Sequence, residues 1–133
     1  MILLDTHALY WADGNDRKLG KKARAALQRA WQKGRVAVSA ITFWEIGALA
    51  AKKRLRLPMP TAEWRTEVLE AGVIELPLDG AIALRSLDLA NLHDDPADRF
   101  IAATALVHGA TLMTADQRLL DWKHPLERID ARG

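Results

Sequence analysis

Short apolar runs alternate with helical patterns along most of this chain, and that alternation leaves few folds open. Residues 2–4, 36–39, 73–76, 111–113 and, more weakly, 128–129 have the length and content of strands. Helical spacing fills the intervals. From Leu19 the apolar positions Ala23, Ala26, Leu27, Ala30 and Trp31 recur on one face, and Gly34 reads as the stop. Further helices are expected over 43–54, 62–71, 81–91 and 96–108, the last closed by Gly109. Strands separated by helices pair in parallel, and a parallel sheet has to be covered on both faces. The expected architecture is therefore α/β: a three-layer α/β/α sandwich around a central, mostly parallel sheet of four to five strands.

The chain has 133 residues, half of them apolar, which suits one domain spanning 1–133 with a single core. Pro58-Met59-Pro60 reads as a turn between helices, not as a linker. The absence of cysteine rules out a disulfide framework, a thiolate metal site and a cysteine nucleophile, and it fits a reducing cytoplasm. Asp5 interrupts the apolar start at once, which argues against an export signal. The uncharged run 100–115 is too short for a bilayer and contains Thr104, His108 and Gly109. A soluble cytoplasmic protein is the expectation.

Formal charge is only +2, but the segment from Arg17 to Arg35 holds lysines and arginines without a single acid. Lys18, Lys21, Lys22 and Arg24 offer a polyanion-binding face, against the plainer reading of a solvated helix surface.

In open parallel sheets, ligands bind beyond the carboxyl ends of the strands, so the first polar residues after each strand carry the most information. Here they are largely acidic. Asp5 follows 2–4 directly, Glu45 comes on the first turn after 36–39, and Asp116 follows 111–113 closely. Asp98 comes differently, in the first turn of the 96–108 helix that precedes a strand, and is inferred to reach the same edge. Each acid except Asp5 has a capping alternative. Asp95-Pro96-Ala97-Asp98 reads as a helix start, Thr42-Phe43-Trp44-Glu45 matches a capping box, and Asp116 would cap a short helix from Gln117, as Asp79 would cap one from Ala81. Asp5 resists that reading, because a carboxylate so close to a buried strand needs a cation or metal to offset its desolvation. Several carboxylates at one edge, without cysteine or a paired histidine motif, form a hard oxygen site suited to Mg²⁺ or Mn²⁺ and to metal-assisted hydrolysis of a phosphodiester. His7, His93, His108 and His124 have no triad or ligand spacing, although His7 stands two residues from Asp5. The five tryptophans read as core or interface anchors, with Trp11 and Trp44 the exceptions near the acids.

Four stretches in order, Leu3-Leu4-Asp5-Thr6-His7-Ala8-Leu9, Ser39 to Glu45 running into Ile46, Asp95-Pro96-Ala97-Asp98-Arg99 and Thr114-Ala115-Asp116, resemble the PIN-domain family, specifically VapC-type toxins of bacterial toxin-antitoxin pairs. The resemblance spans essentially the whole chain. It implies a metal-dependent RNA endonuclease whose Mg²⁺ or Mn²⁺ is held by Asp5, Glu45, Asp98 and Asp116, with Thr6, Thr42 and Thr114 as hydroxyls lining the same site. It also implies a homodimer and a cognate antitoxin that blocks the site. The stretch after Glu45, Gly47 to Ala51, is smaller than that pattern usually has.

Other classes fit less well. A haloacid-dehalogenase-type phosphatase would want an aspartate where His7 stands, and no glycine-rich loop follows the first strand for a dinucleotide. The remaining alternative is a PIN-like RNA- or protein-binding module without catalysis, against which stands the presence of all four acids.

Overall fold

A computed structural model describes all residues, 1–133. Five strands form one sheet: β1 (Ile2–Leu4), β2 (Val36–Ser39), β3 (Ile74–Leu76), β4 (Thr111–Thr114) and β5 (Arg128–Asp130). Their order across the sheet is β3-β2-β1-β4-β5, and every neighbouring pair is parallel. In register, Leu3 lies between Ala37 and Leu112 at the centre of the sheet.

Side-chain alternation along the strands divides the core into two layers. Ile2 and Leu4 join Val36, Val38 and Met113 beneath α1 (Thr6–Asp13), α2 (Lys21–Gln32) and α4 (Thr61–Glu70). Leu3, Ala37 and Leu112 face the other way, against α5 (Gly80–Leu87), α6 (Pro96–His108) and α7 (Gln117–Leu120). The helix α3 (Ala40–Ala51) sends Phe43 and Ile46 into the first cluster and packs Ile41 against the second. The structure is thus the three-layer sandwich expected from the alternation, with a fully parallel sheet.

Three local expectations change. The helix α1 escaped the periodicity reading: it is short and largely apolar, so no polar face marks it, and it buries Thr6, Ala8, Leu9 and Trp11. Its N-cap is Asp5, whose side chain accepts the Ala8 amide at 2.9 Å, so the carboxylate that looked least like a cap is one. The Thr42–Glu45 capping box does not form. Helix α3 begins at Ala40, three residues earlier than its periodicity suggests, and Ser39 caps it by accepting the Ile41 amide. Glu45 therefore lies inside the helix with its carboxylate free for other use. Asp79 and Asp95 cap α5 and α6 as expected, and Gly109 closes α6 in the left-handed conformation at φ 61°.

Gly20 is fixed by a close approach. A Cβ there would lie 1.8 Å from the Gly133 carbonyl, where the chain after β5 crosses the start of α2.

Candidate active site

The polypeptide reverses its direction of winding between β1 and β4: β2 and β3 lie on one side of β1, and β4 and β5 on the other. At that switch point, beyond the carboxyl ends of the strands, a cleft of about 460 Å³ is lined by Asp5, Glu45, Asp95, Asp98 and Asp116, with His7, Arg118 and Arg132 among its basic residues. The four sequence-predicted carboxylates are all in it.

Asp5 is brought there by β1 and fixed from two sides. Its Oδ1 accepts the Ala8 amide, and its Oδ2 accepts the Thr114 hydroxyl from the end of β4. Burial pushes its carboxyl above the ordinary aspartate range, while the two hydrogen bonds and His7 pull it back and Glu45 adds to the rise. Glu45 reaches the cleft from α3 and accepts the Thr6 hydroxyl. Thr6 and Thr114 are thus the orienting hydroxyls for two different acids. Thr42 is not: it is fully buried in α3, lines no part of the cleft, and its hydroxyl has no protein partner.

Asp98 stands in the first turn of α6, directly after the Asp95 cap, and the His93 Nε2 lies 2.7 Å from its Oδ2. Burial raises its carboxyl to about 7 even though the His93 hydrogen bond works in the other direction. Asp116 caps α7 by accepting the Arg118 amide at 2.9 Å. Burial also opposes its charge, but the Arg118 side chain and backbone outweigh that and hold its carboxyl below the usual range. The Arg118 fork donates to both Asp116 oxygens, at 3.2 and 3.0 Å, and reaches Asp98 Oδ2 at 3.5 Å. His93, Asp98 and Asp116 offer ligand atoms within 4.8 Å of one another. Asp5 and Glu45 line the same cleft outside that tight group. Asp116, which rested in the sequence on its place after a strand, stands at the centre of the geometry.

Nothing in the spacing of the histidines singles out His93, and no motif singles out Arg118. A third residue, Arg99, explains how His93 is held. From inside α6 its guanidinium donates to the carbonyls of Ser86, Leu89, Leu92 and His93, tying down the segment after α5. The only available signal was its place in the Asp95–Arg99 motif.

The basic segment divides. The Arg24 guanidinium is taken up by Asn15 Oδ1 and the Asp16 and Leu19 carbonyls, so it serves the turn before α2. Lys18 lies 6.0 Å from the centroid of the Trp11 ring, and Trp11 lines the cleft. Lys21 and Lys22 are exposed at the start of α2 and line no part of it. Trp44, beside Glu45 in sequence, is 67% exposed and lines no part of the cleft.

The donor set fits a hard divalent cation. Four carboxylates converge with no sulfur, and burial disfavours the charge of Asp5 and Asp98, as expected where a cation supplies the compensation.

A sequence model of the PIN domain matches residues 2–124. The chain belongs to the PIN-domain family. Over 128 residues, 93% of each chain, this PIN domain is 35% identical to the ribonuclease VapC22 of Mycobacterium tuberculosis. Among solved structures it is similar to a toxin-antitoxin complex from Klebsiella pneumoniae, at 26% identity and a TM-score of 0.68 over 98% of each chain. It is likewise similar to FitAcB from Neisseria gonorrhoeae, at 26% identity and a TM-score of 0.65 over 98% of each chain. A further PIN-domain likeness, VapBC2 from Rickettsia felis bound to a promoter DNA fragment, has 18% identity and a TM-score of 0.69 over 98% of this chain and 100% of that one, and speaks for the fold alone.

Proposed function

We propose that the protein is a metal-dependent endoribonuclease, the toxin of a toxin-antitoxin pair, which hydrolyses RNA phosphodiester bonds with Mg²⁺ or Mn²⁺. The observation that carries this reading is the convergence of Asp5, Glu45, Asp98 and Asp116 in one cleft at the switch point of a PIN-domain sheet. Its relationship to a curated VapC ribonuclease at 35% identity supports the same activity.

When bound, the divalent ion would supply an activated water and charge stabilisation at the scissile phosphate. The chain's own residues have separable tasks. Asp98 and Asp116 offer adjacent oxygen ligands, with His93 orienting Asp98. Asp5 and Glu45 add carboxylates whose rotamers are set by Thr114 and Thr6. Arg132, fixed by a 2.8 Å hydrogen bond to the Ala115 carbonyl and lying 5.3 Å from the Trp11 ring centroid, presents positive charge at the cleft for a phosphate. Lys18, Lys21 and Lys22 extend that attraction along the RNA by a salt-dependent contribution.

The partners belong to the same reading. A cognate antitoxin is suggested by the likeness to the Klebsiella pneumoniae toxin-antitoxin complex. A homodimer is supported by Leu84 and Leu87 on α5 and Val107 on α6, large apolar side chains left exposed on helices that pack together. No helix is long and apolar enough to cross a membrane, and a cytoplasmic site of action completes the proposal.

The direct test is incubation of purified protein with single-stranded RNA. Internal cutting is expected with added Mg²⁺ or Mn²⁺ and none with EDTA. Cutting that persists in EDTA would overturn the metal-dependent reading.

A further inference from the structure

Arg118 engages the same carboxylate oxygens that a divalent ion would need. Its Nε and one terminal nitrogen meet Asp116 Oδ1 and Oδ2, and that terminal nitrogen also reaches Asp98 Oδ2, which His93 already contacts. Both Asp116 oxygens and one Asp98 oxygen are thus partnered by a cation of the chain itself. One terminal nitrogen of Arg118 stands between Asp116 Oδ2 and Asp98 Oδ2, at 3.0 and 3.5 Å, where an ion shared by the two acids would sit. Overlap and like-charge repulsion make the guanidinium and a divalent ion competitors for that position.

The surroundings allow exchange. The Arg118 side chain is 58% exposed, against 14% for Asp98 and 23% for Asp116, so the arginine can swing out while the acids stay. Its backbone is held separately, by the amide that Asp116 caps. The guanidinium groups of Arg132 and Arg99 are instead hydrogen-bonded to backbone carbonyls. Arg118 is the arginine of the cleft whose side-chain partners are all candidate ligands.

We propose that Arg118 is an exchangeable counter-cation: in the metal-free protein it holds Asp98 and Asp116 together, it yields them to the entering divalent ion, and it then faces the substrate phosphate across the cleft. The inference rests on the reading of the cleft as a divalent-metal site. Removing a cation from two acids strengthens their hold on a competing cation, whereas removing a group that merely positions Asp116 weakens it. The sign of the change separates the two roles.

The test is Mn²⁺ binding to the full chain without RNA, followed by titration calorimetry and by the loss of the free-ion electron paramagnetic resonance signal. Arg118→Gln is expected to bind Mn²⁺ about five-fold more tightly than the unaltered protein, the scale of a well-formed exposed ion pair. Arg118→Lys, which keeps the charge without the fork, is expected to lie between them. Circular dichroism of both variants checks the fold. At saturating Mn²⁺, Arg118→Gln is expected to raise KM for a short single-stranded RNA several-fold. Equal or weaker Mn²⁺ binding by Arg118→Gln would overturn the counter-cation role, and an unchanged KM would overturn the phosphate contact. Absence of Mn²⁺ binding by all three proteins would overturn the metal reading itself, a result distinct from the other two.

Discussion

The Thr114 hydroxyl donates to Asp5 Oδ2 across 109 residues of chain and accepts the Asp116 amide at 3.0 Å. One side chain at the end of β4 thereby links the acid after β1 to the acid after β4, and it is itself fully buried. Thr114→Val keeps the shape and removes both bonds. We expect a stability loss of about 2 kcal/mol in urea denaturation, with the Asp5 oxygen and the Asp116 amide losing a partner. An unchanged midpoint would mean that neither bond matters.

Asp5 separates activity from stability. Its burial disfavours ionisation, so Asp5→Asn removes a penalised charge, leaves an oxygen for the Ala8 cap and turns an N–H towards the Thr114 oxygen, which can accept it. In EDTA the variant should melt no lower than the unaltered protein, and with Mn²⁺ its RNA cleavage should fall by at least about a hundred-fold. A variant that melts lower yet retains full cleavage would reverse the assigned role.

The acidity of Asp98 gives a signed pH dependence. Burial raises its carboxyl from 3.8 to about 7, so between those values the folded, metal-free protein holds a proton that the unfolded chain releases. Stability is then full below pH 3.8 and falls as pH rises through about 7, and the raised Asp5 works in the same direction. Asp116, held low, acts only below 3.8 and leaves that window alone. A cation needs Asp98 ionised, so Mn²⁺ binding should release a proton at about pH 6 and tighten towards pH 8. Calorimetry in buffers of different ionisation enthalpy measures that release, and its absence would contradict the raised pKa of Asp98.

The exposed Leu84 and Leu87 predict association. If they cover a second copy, Leu84→Glu with Leu87→Glu should convert a dimer to a monomer in light scattering, at little cost to folding, because both side chains are exposed in the single chain. A dimer that survives both changes would move the interface elsewhere.

The sheet and its order of elements were legible because strand and helix patterns in this chain differ in length and period: β1, β2 and α6 lie where the pattern predicts them. The helix α1 was not, since two turns of mostly apolar residues carry no helical stripe, and missing it hid the capping role of Asp5. The start of α3 was misjudged because Thr42 and Glu45 have capping-box spacing while Ser39, at the end of β2, does the capping. Asp5, Glu45 and Asp116 could be found because strand ends in a parallel sheet converge, whereas Asp98, in the first turn of α6, was carried by its helix-start motif and the family resemblance. His93 and Arg118 could not, since their partnership with Asp98 depends on how Arg99 ties the segment after α5 and on where α7 begins. Neither is a property of local sequence.

The central claim is that these carboxylates cut RNA through a divalent ion, and Asp98→Asn tests it most directly, because it keeps the shape of the buried side chain and removes the charge that a cation requires. The measurement is the rate of single-stranded RNA cleavage at saturating Mn²⁺ by the unaltered protein and by the variant, with equal circular dichroism. Loss of at least about a hundred-fold is predicted. Cleavage by Asp98→Asn at the unaltered rate would contradict the account.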